Sequence, residues 1–167
     1  MITDLVQIQR LGTQKQAENE RFRKHLKRHD FVERRFRILA EEIESEIDCT
    51  ACANCCRKAT AKLTARDVDK ISRFLRIRPS EFERNYTMLS EEEGMILRRD
   101  EEKGCIFLDG NRCSIYEARP HSCEYFPHTV RGEGSIPSRM WQFNDRAIYC
   151  PIVYNTLEAW KAEVKFK

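Results

Sequence analysis

The chain has 167 residues, of which 41% are hydrophobic and 34% charged, enough for one soluble domain with its own core and short for a two-domain enzyme. Thirty Lys and Arg against 27 Asp and Glu leave a net charge of +3, too little to demand a polyanionic partner. No apolar run approaches the roughly 20 residues of a membrane helix, and the opening MITDLVQIQR lacks the basic-then-apolar order of a secretory signal, so a cytoplasmic protein with no membrane partner is expected.

From about Thr13 to Ile47, the residues Phe22, Leu26, Val32, Phe36, Leu39, Ile43 and Ile47 recur at mostly helical intervals without Pro or Gly, which predicts one long helix. Between Arg21 and Arg37 eight basic residues face two acidic ones, a net of +6, whereas Glu41, Glu42, Glu44, Glu46 and Asp48 then reverse the sign. That reversal makes the helix dipolar. It argues against nucleic-acid binding through the basic stretch and leaves a face for the rest of the chain or for a protein partner.

Thr64 and Asp67 form a capping pair for a helix carrying Val68, Ile71, Phe74 and Leu75, which should stop before Pro79. Ser80 then opens a short helix through Glu81, Phe82 and Tyr86. Met95 to Arg98 and Cys105 to Leu108 read as extended, with Asp109-Gly110-Asn111 as a tight turn. A two-residue loop there would put Cys105 and Cys113 on opposite faces, whereas a three-residue loop pairs Phe107 with Cys113 and turns both thiols one way. If both thiols are ligands, the longer loop or a break at a strand end is expected. Arg119-Pro120 opens a loop or short helix bearing Cys123, Gly132 to Pro137 reads as a mobile surface loop, and Val153, Leu157, Trp160 and Val164 mark a terminal amphipathic helix.

The unusual feature is eight cysteines, at 49, 52, 55, 56, 105, 113, 123 and 150. A reducing compartment keeps such thiols unpaired, and a chain able to bury a core does not need a disulfide framework, so metal binding is the expectation. Cys49-x2-Cys52-x2-Cys55-Cys56 packs four thiols into eight residues, and the x2 spacing lets thiolates and backbone N–H groups turn towards one ion or cluster. Cys105, Cys113, Cys123 and Cys150 follow at intervals of 8, 10 and 27, unlike a second zinc knuckle. Three cysteines at successive x2 spacing, with a remote Cys150-Pro151, instead echo bacterial 4Fe-4S loops. The candidate ligands are therefore Cys49, Cys52, Cys55, Cys56, Cys105, Cys113, Cys123 and Cys150, for an iron-sulfur cluster, 4Fe-4S in the first instance, or Zn²⁺. Four thiolates around either leave a local charge near −2, roughly, by ligand counting, which Arg57, Lys58, Arg112 and Arg119 are placed to offset.

Cys49-Thr-Ala-Cys52-Ala-Asn-Cys55-Cys56, Cys105-Ile-Phe-Leu108, Cys113-Ser-Ile-Tyr116-Glu-Ala-Arg119-Pro120-His-Ser-Cys123, Phe126-Pro127 and Cys150-Pro151 together resemble the CxxCxxCC cysteine-cluster family of the YkgJ type, over about residues 49 to 152. The resemblance implies chelation of zinc or iron at these cysteines. A similar region in flagellin lysine methylases implies, by analogy, a cluster-dependent enzyme or accessory protein as the alternative function, although no nucleotide-binding glycine fingerprint is present.

Among other candidates, His25 and His29 share a helix face but sit in the basic run, and His121 and His128 flank Cys123 as substitute or supporting ligands. Tyr116, Tyr125, Phe126 and Trp141 are placed to shield a cluster from water. No hydrolase dyad, serine elbow or phosphate loop is recognisable. The sequence thus predicts a mostly helical α+β fold with a short β-hairpin organised around the cysteines: a helical extension over 1–48, a cysteine domain over 49–152 and a helix over 153–167 packing on it. Its expected role is structural, redox or metal-handling.

Overall fold

In chain order the helices are α1 (Leu5–Gln14), α2 (Gln16–Arg28), α3 (Glu33–Glu46), α4 (Cys49–Cys52), α5 (Asn54–Lys58), α6 (Ala65–Leu75), α7 (Pro79–Tyr86), α8 (His121–Glu124), α9 (Ile136–Arg146) and α10 (Pro151–Glu163). Six short strands lie between α7 and α8: β1 (Thr87–Ser90), β2 (Gly94–Leu97), β3 (Arg99–Asp100), β4 (Gly104–Cys105), β5 (Leu108–Asp109) and β6 (Arg112–Cys113). They form three separate antiparallel pairs, β1 with β2, β3 with β4 and β5 with β6. The computed structural model describes residues 1–29, 31–132 and 134–167, and over these the fold is a mostly helical α+β one, as the sequence implied.

Two compact units result, one of residues 1–48 with 127–167 and one of residues 49–126. The sequence had carried the cysteine domain on to 152 with the last helix packing upon it. Instead residues 127–167 group with the N-terminal helices, and α10 packs on α1, α3 and α9. Pro151 to Leu157 are all buried, so α10 is the central helix of its unit rather than a surface one. Phe36 bridges its neighbours, with its ring centroid 5.6 Å from Trp160 and 6.1 Å from Phe143.

The single helix expected from Thr13 to Ile47 is in fact three. Lys15 separates α1 from α2, and the backbone turns extended at His29 (φ −125°, ψ 137°) and Val32 (φ −89°, ψ 99°); Asp30 lies outside the described residues. Val32, assigned to the apolar stripe, is 59% exposed. The stripe survives because Phe22 and Leu26 before the break and Phe36 and Ile43 after it are buried, but on different partners: α2 packs against α9 and α3 against α10.

In the cysteine unit, α6 begins as expected. The Thr64 hydroxyl accepts the Asp67 N–H while the Asp67 carboxylate accepts the Thr64 N–H, a complete capping box. Val68 and Ile71 enter a core with Leu63, Phe82, Leu97, Phe107, Ile115 and Ala118, whereas Phe74 is exposed. α7 starts at Pro79, whose fixed φ and missing N–H suit the first helical turn, so Ser80 lies inside the helix rather than capping it.

Two elements were not anticipated. Thr87–Ser90 forms β1, pairing Thr87 with Leu97 and Ser90 with Gly94. Most of the expected loop at 132–137 leads into α9, capped by Ser135 and with Pro137 in its first turn; Glu133 lies outside the described residues. Of the two arrangements expected for the thiols, the structure takes the break at a strand end rather than the longer loop: Leu108 pairs with Cys113 and Asp109 with Arg112, leaving a two-residue loop in which Gly110 supplies φ +59°. Cys105 escapes the facing conflict because its strand pairs elsewhere, opposite Arg99, and the chain turns at Ile106 and Phe107 before β5.

Candidate metal centre

Seven of the eight cysteines lie in the 49–126 unit, and all eight are thiols rather than disulfides. Cys49 and Cys52 open and close α4, Cys55 and Cys56 are in α5, Cys105 ends β4, Cys113 ends β6, and Cys123 is in α8. Cys150 belongs to the other unit, where it is buried at the N-terminal end of α10.

Each thiol-bearing element is fastened by polar contacts that its neighbours in sequence supply. Ala53, in the left-handed region at φ 48°, turns α4 into α5. Arg57 donates to the carbonyl oxygens of Cys52 (3.3 Å) and Gly110 (2.7 Å) and to Asn111 Oδ1 (2.5 Å), while Asn111 Nδ2 donates to the Ala51 carbonyl (2.7 Å). Arg99 donates from its two terminal nitrogens to the carbonyls of Lys58 (3.1 Å) and Arg57 (2.9 Å). The cysteine-rich segment is thereby clamped to both β3 and the β5–β6 turn. At Gly104 the backbones touch: a Cβ there would lie 2.6 Å from the Cys56 carbonyl oxygen and 2.7 Å from Arg57 Cα.

The helix bearing Cys123 is held from α6. The His121 N–H donates to Asp67 Oδ1 (2.9 Å), Lys70 Nζ to the Arg119 carbonyl (2.6 Å), and Ser122 Oγ to the Lys62 carbonyl (2.8 Å). Cys105 and Cys113 rest against the apolar core around Phe82 and Phe107.

The outcome is a group of thiols that sense one another. Cys55 hydrogen-bonds the Cys56 sulfur, which outweighs burial and, with Arg57 beside it, brings Cys56 down to about 7. Burial pushes Cys105 up to about 11 and Cys123 up to about 12, and each is raised further by its thiol neighbours, Cys105 by Cys56 and Cys113, and Cys123 by Cys105, Cys56 and Cys113. Burial also raises Cys113, and Cys56 adds to it. Cys56, Cys105, Cys113 and Cys123, drawn from four elements, are thus a tetrad in the sense that they lie within electrostatic reach of one another.

A family model described as "CxxCxxCC: Putative zinc- or iron-chelating domain" matches residues 48–151. The chain belongs to the CxxCxxCC family. The match spans all eight cysteines of this CxxCxxCC protein. No solved structure matches the chain.

The donor set of the CxxCxxCC domain suits a thiophilic metal. Half-buried thiols that oppose one another's ionisation are the groups a bound cation would release as thiolates. Among the described residues no three His, Cys, Asp or Glu side chains stand together in ligating geometry. The basic residues divide: Arg57, Arg99 and Arg119 favour the thiolates of Cys56, Cys105 and Cys113 respectively, whereas Lys58 and Arg112 are exposed.

Other candidates fall outside the tetrad. His25 and His29 stack on each other at 4.1 Å, with His25 also edge-on to Phe166, in the other unit. His121 is exposed with its ring edge-on to Tyr125, and His128 takes a left-handed turn at φ 65°. Shielding by Tyr116 and Trp141 is not seen. They are 46% and 61% exposed, and Tyr116 instead carries the Arg119 guanidinium 3.9 Å above its ring. The positioning residues Arg99, Asn111, Asp67 and Gly104 were not singled out as such from the sequence; Gly104, directly before Cys105, was the most readable.

Proposed function

We propose that the protein is a thiolate metal centre in which Cys56, Cys105, Cys113 and Cys123 supply the central ligands and Cys55 tunes Cys56 by hydrogen bonding. The convergence of these thiols from α5, β4, β6 and α8, each independently fastened, carries the reading. Family membership supports chelation of zinc or iron. Our first assignment is an iron-sulfur cluster, since an all-thiol donor set suits one and the x2 spacings of Cys49, Cys52 and Cys55 that lead into Cys56 are ferredoxin-like; such a group would supply one-electron chemistry or structural cross-linking. Cys49 and Cys52 enter as further ligands on that pattern alone. A structural Zn²⁺ is the second reading, because one four-thiolate set meets its tetrahedral demand. The test is iron, zinc and acid-labile sulfide content, with a visible spectrum, on protein purified without oxygen. Matched iron and sulfide with a broad band near 400 nm, an approximate position, supports the cluster, and colourless protein with about one zinc supports the second reading. Metal-free protein, or full metal content in Cys56→Ser, Cys105→Ser, Cys113→Ser and Cys123→Ser alike, overturns both.

A further inference from the structure

A second polar anomaly lies in the other unit, on α9. Arg139 is only 4% exposed, an unusual place for a side chain that stays charged at any physiological pH. One terminal nitrogen, Nη1, donates to the His128 carbonyl, and the guanidinium carbon lies 5.8 Å from the centroid of the buried Phe143 ring. Nε and Nη2, which together form the edge that grips two oxygens side by side, are buried with no hydrogen-bond partner. Thr129, one residue beyond the carbonyl that Arg139 holds, is 1% exposed and its hydroxyl is likewise unpartnered.

The surrounding charge does not answer this cation. Among the described residues Glu33 is the acidic group acting on it, and a Glu33 carboxylate oxygen already accepts the Ile136 N–H at 3.1 Å. Arg37 and Arg146 act in the opposite sense. Two further guanidinium groups thus add positive field at Arg139. A buried guanidinium with an unmet two-oxygen edge is costly, because leaving charged donors unpaired forfeits their hydration without return. An oxoanion would satisfy the edge, and one carrying two charges would gain more from the field of Arg37 and Arg146 than one carrying a single charge.

We propose that Arg139 is the anchor of a binding site for a phosphate-class dianion, with its Nε–Nη2 edge gripping two oxygens, Thr129 offering its hydroxyl, and Arg37 and Arg146 contributing field. The site is independent of the cysteine centre.

Inorganic phosphate is the probe, titrated into the full-length protein as purified and followed by calorimetry and thermal melting, with chloride at matched ionic strength and acetate as parallel arms. Saturable binding of phosphate with a rise in Tm is expected, while chloride does nothing and acetate binds more weakly. Arg139→Lys, which keeps the charge but loses the paired edge, is expected to weaken phosphate at least tenfold. Arg37→Gln, at an exposed position, should weaken it several-fold without changing the fold, so the test survives if Arg139 variants do not fold. Phosphate indistinguishable from chloride, or an Arg37→Gln protein with unaltered affinity, overturns the proposal. Acetate binding tighter than phosphate would assign the edge to a carboxylate and overturn it equally.

Discussion

Replacing Gly104 with alanine tests how the cysteine unit is assembled. Gly104 has φ +83°, where an L-residue pays about 1–2 kcal/mol for the contact between its Cβ and the neighbouring carbonyl. The added methyl would also lie 2.6 Å from the Cys56 carbonyl oxygen and 2.7 Å from Arg57 Cα, both backbone atoms that cannot swing aside. Overpacking of that kind costs a further ~1–3 kcal/mol, so a total of about 2–5 kcal/mol is expected. Gly110→Ala is the internal control: its φ is +59° but nothing lies within 4 Å of the added Cβ, so only the backbone cost of about 1 kcal/mol applies. Urea unfolding of the two variants isolates the steric part, and metal content per chain shows whether pushing Cys56 from Cys105 disturbs the tetrad. Gly104→Ala should lose more stability than Gly110→Ala and should also lose metal. Equal stabilities within about 0.5 kcal/mol, with metal retained in both, would refute the close approach as an organising contact.

Asp67→Asn should lose the capping box and slacken the tie to His121, at a cost of about 1–2 kcal/mol in thermal or urea unfolding. Burial opposes ionisation of the Asp67 carboxyl, but the His121 and Thr64 N–H bonds prevail and hold it below the usual carboxylate range. Its contribution is therefore complete above the unfolded value of about 3.9 and fades as pH falls through the lower folded one, so the wild-type advantage over Asp67→Asn should shrink in melts below about pH 4. Lys161, 5% exposed, is ion-paired with Glu18 and Glu158 and donates to Asn19 at 3.0 Å; Lys161→Met leaves those carboxylates to Lys15 alone and strands the Asn19 oxygen, and should cost about 1–3 kcal/mol. Arg35→Ala, which removes an exposed pair with Glu163, should cost under about 1 kcal/mol, and equal losses in chemical denaturation would contradict the difference in burial. Chelation of the metal should strip hydrogen-exchange protection from 49–126 before 1–48 and 127–167, and uniform or unchanged protection would show that the thiol tetrad does not hold its unit.

What the sequence disclosed follows the range of the forces concerned. The Thr64–Asp67 cap is local and was readable from two residues three apart. The break between α2 and α3 was hidden, because Phe22, Leu26, Phe36 and Ile43 keep a helical rhythm across it and no Gly or Pro marks it. α9 was masked by Gly132, Gly134 and Pro137, whose loop-like composition conceals that Pro137 sits in a first helical turn after the Ser135 cap. For the candidate metal centre, spacing singled out eight cysteines as candidate ligands and grouped Cys49, Cys52 and Cys55 first. The grouping of Cys56 with Cys105, Cys113 and Cys123 depends on Phe82, Phe107 and Ile71 packing at long range and on the Arg57 and Arg99 clamps, neither of which a spacing rule contains.

X-ray absorption at the metal edge of the protein purified without oxygen tests the thiolate assignment most directly. A first shell of sulfur alone is predicted, at about 2.3 Å for zinc, with a second iron shell if the centre is a cluster, and a lower sulfur count or loss of the metal in Cys123→Ser. A first shell dominated by nitrogen or oxygen, or one unchanged in each of the four tetrad variants, would contradict the assignment of Cys56, Cys105, Cys113 and Cys123 as the ligands.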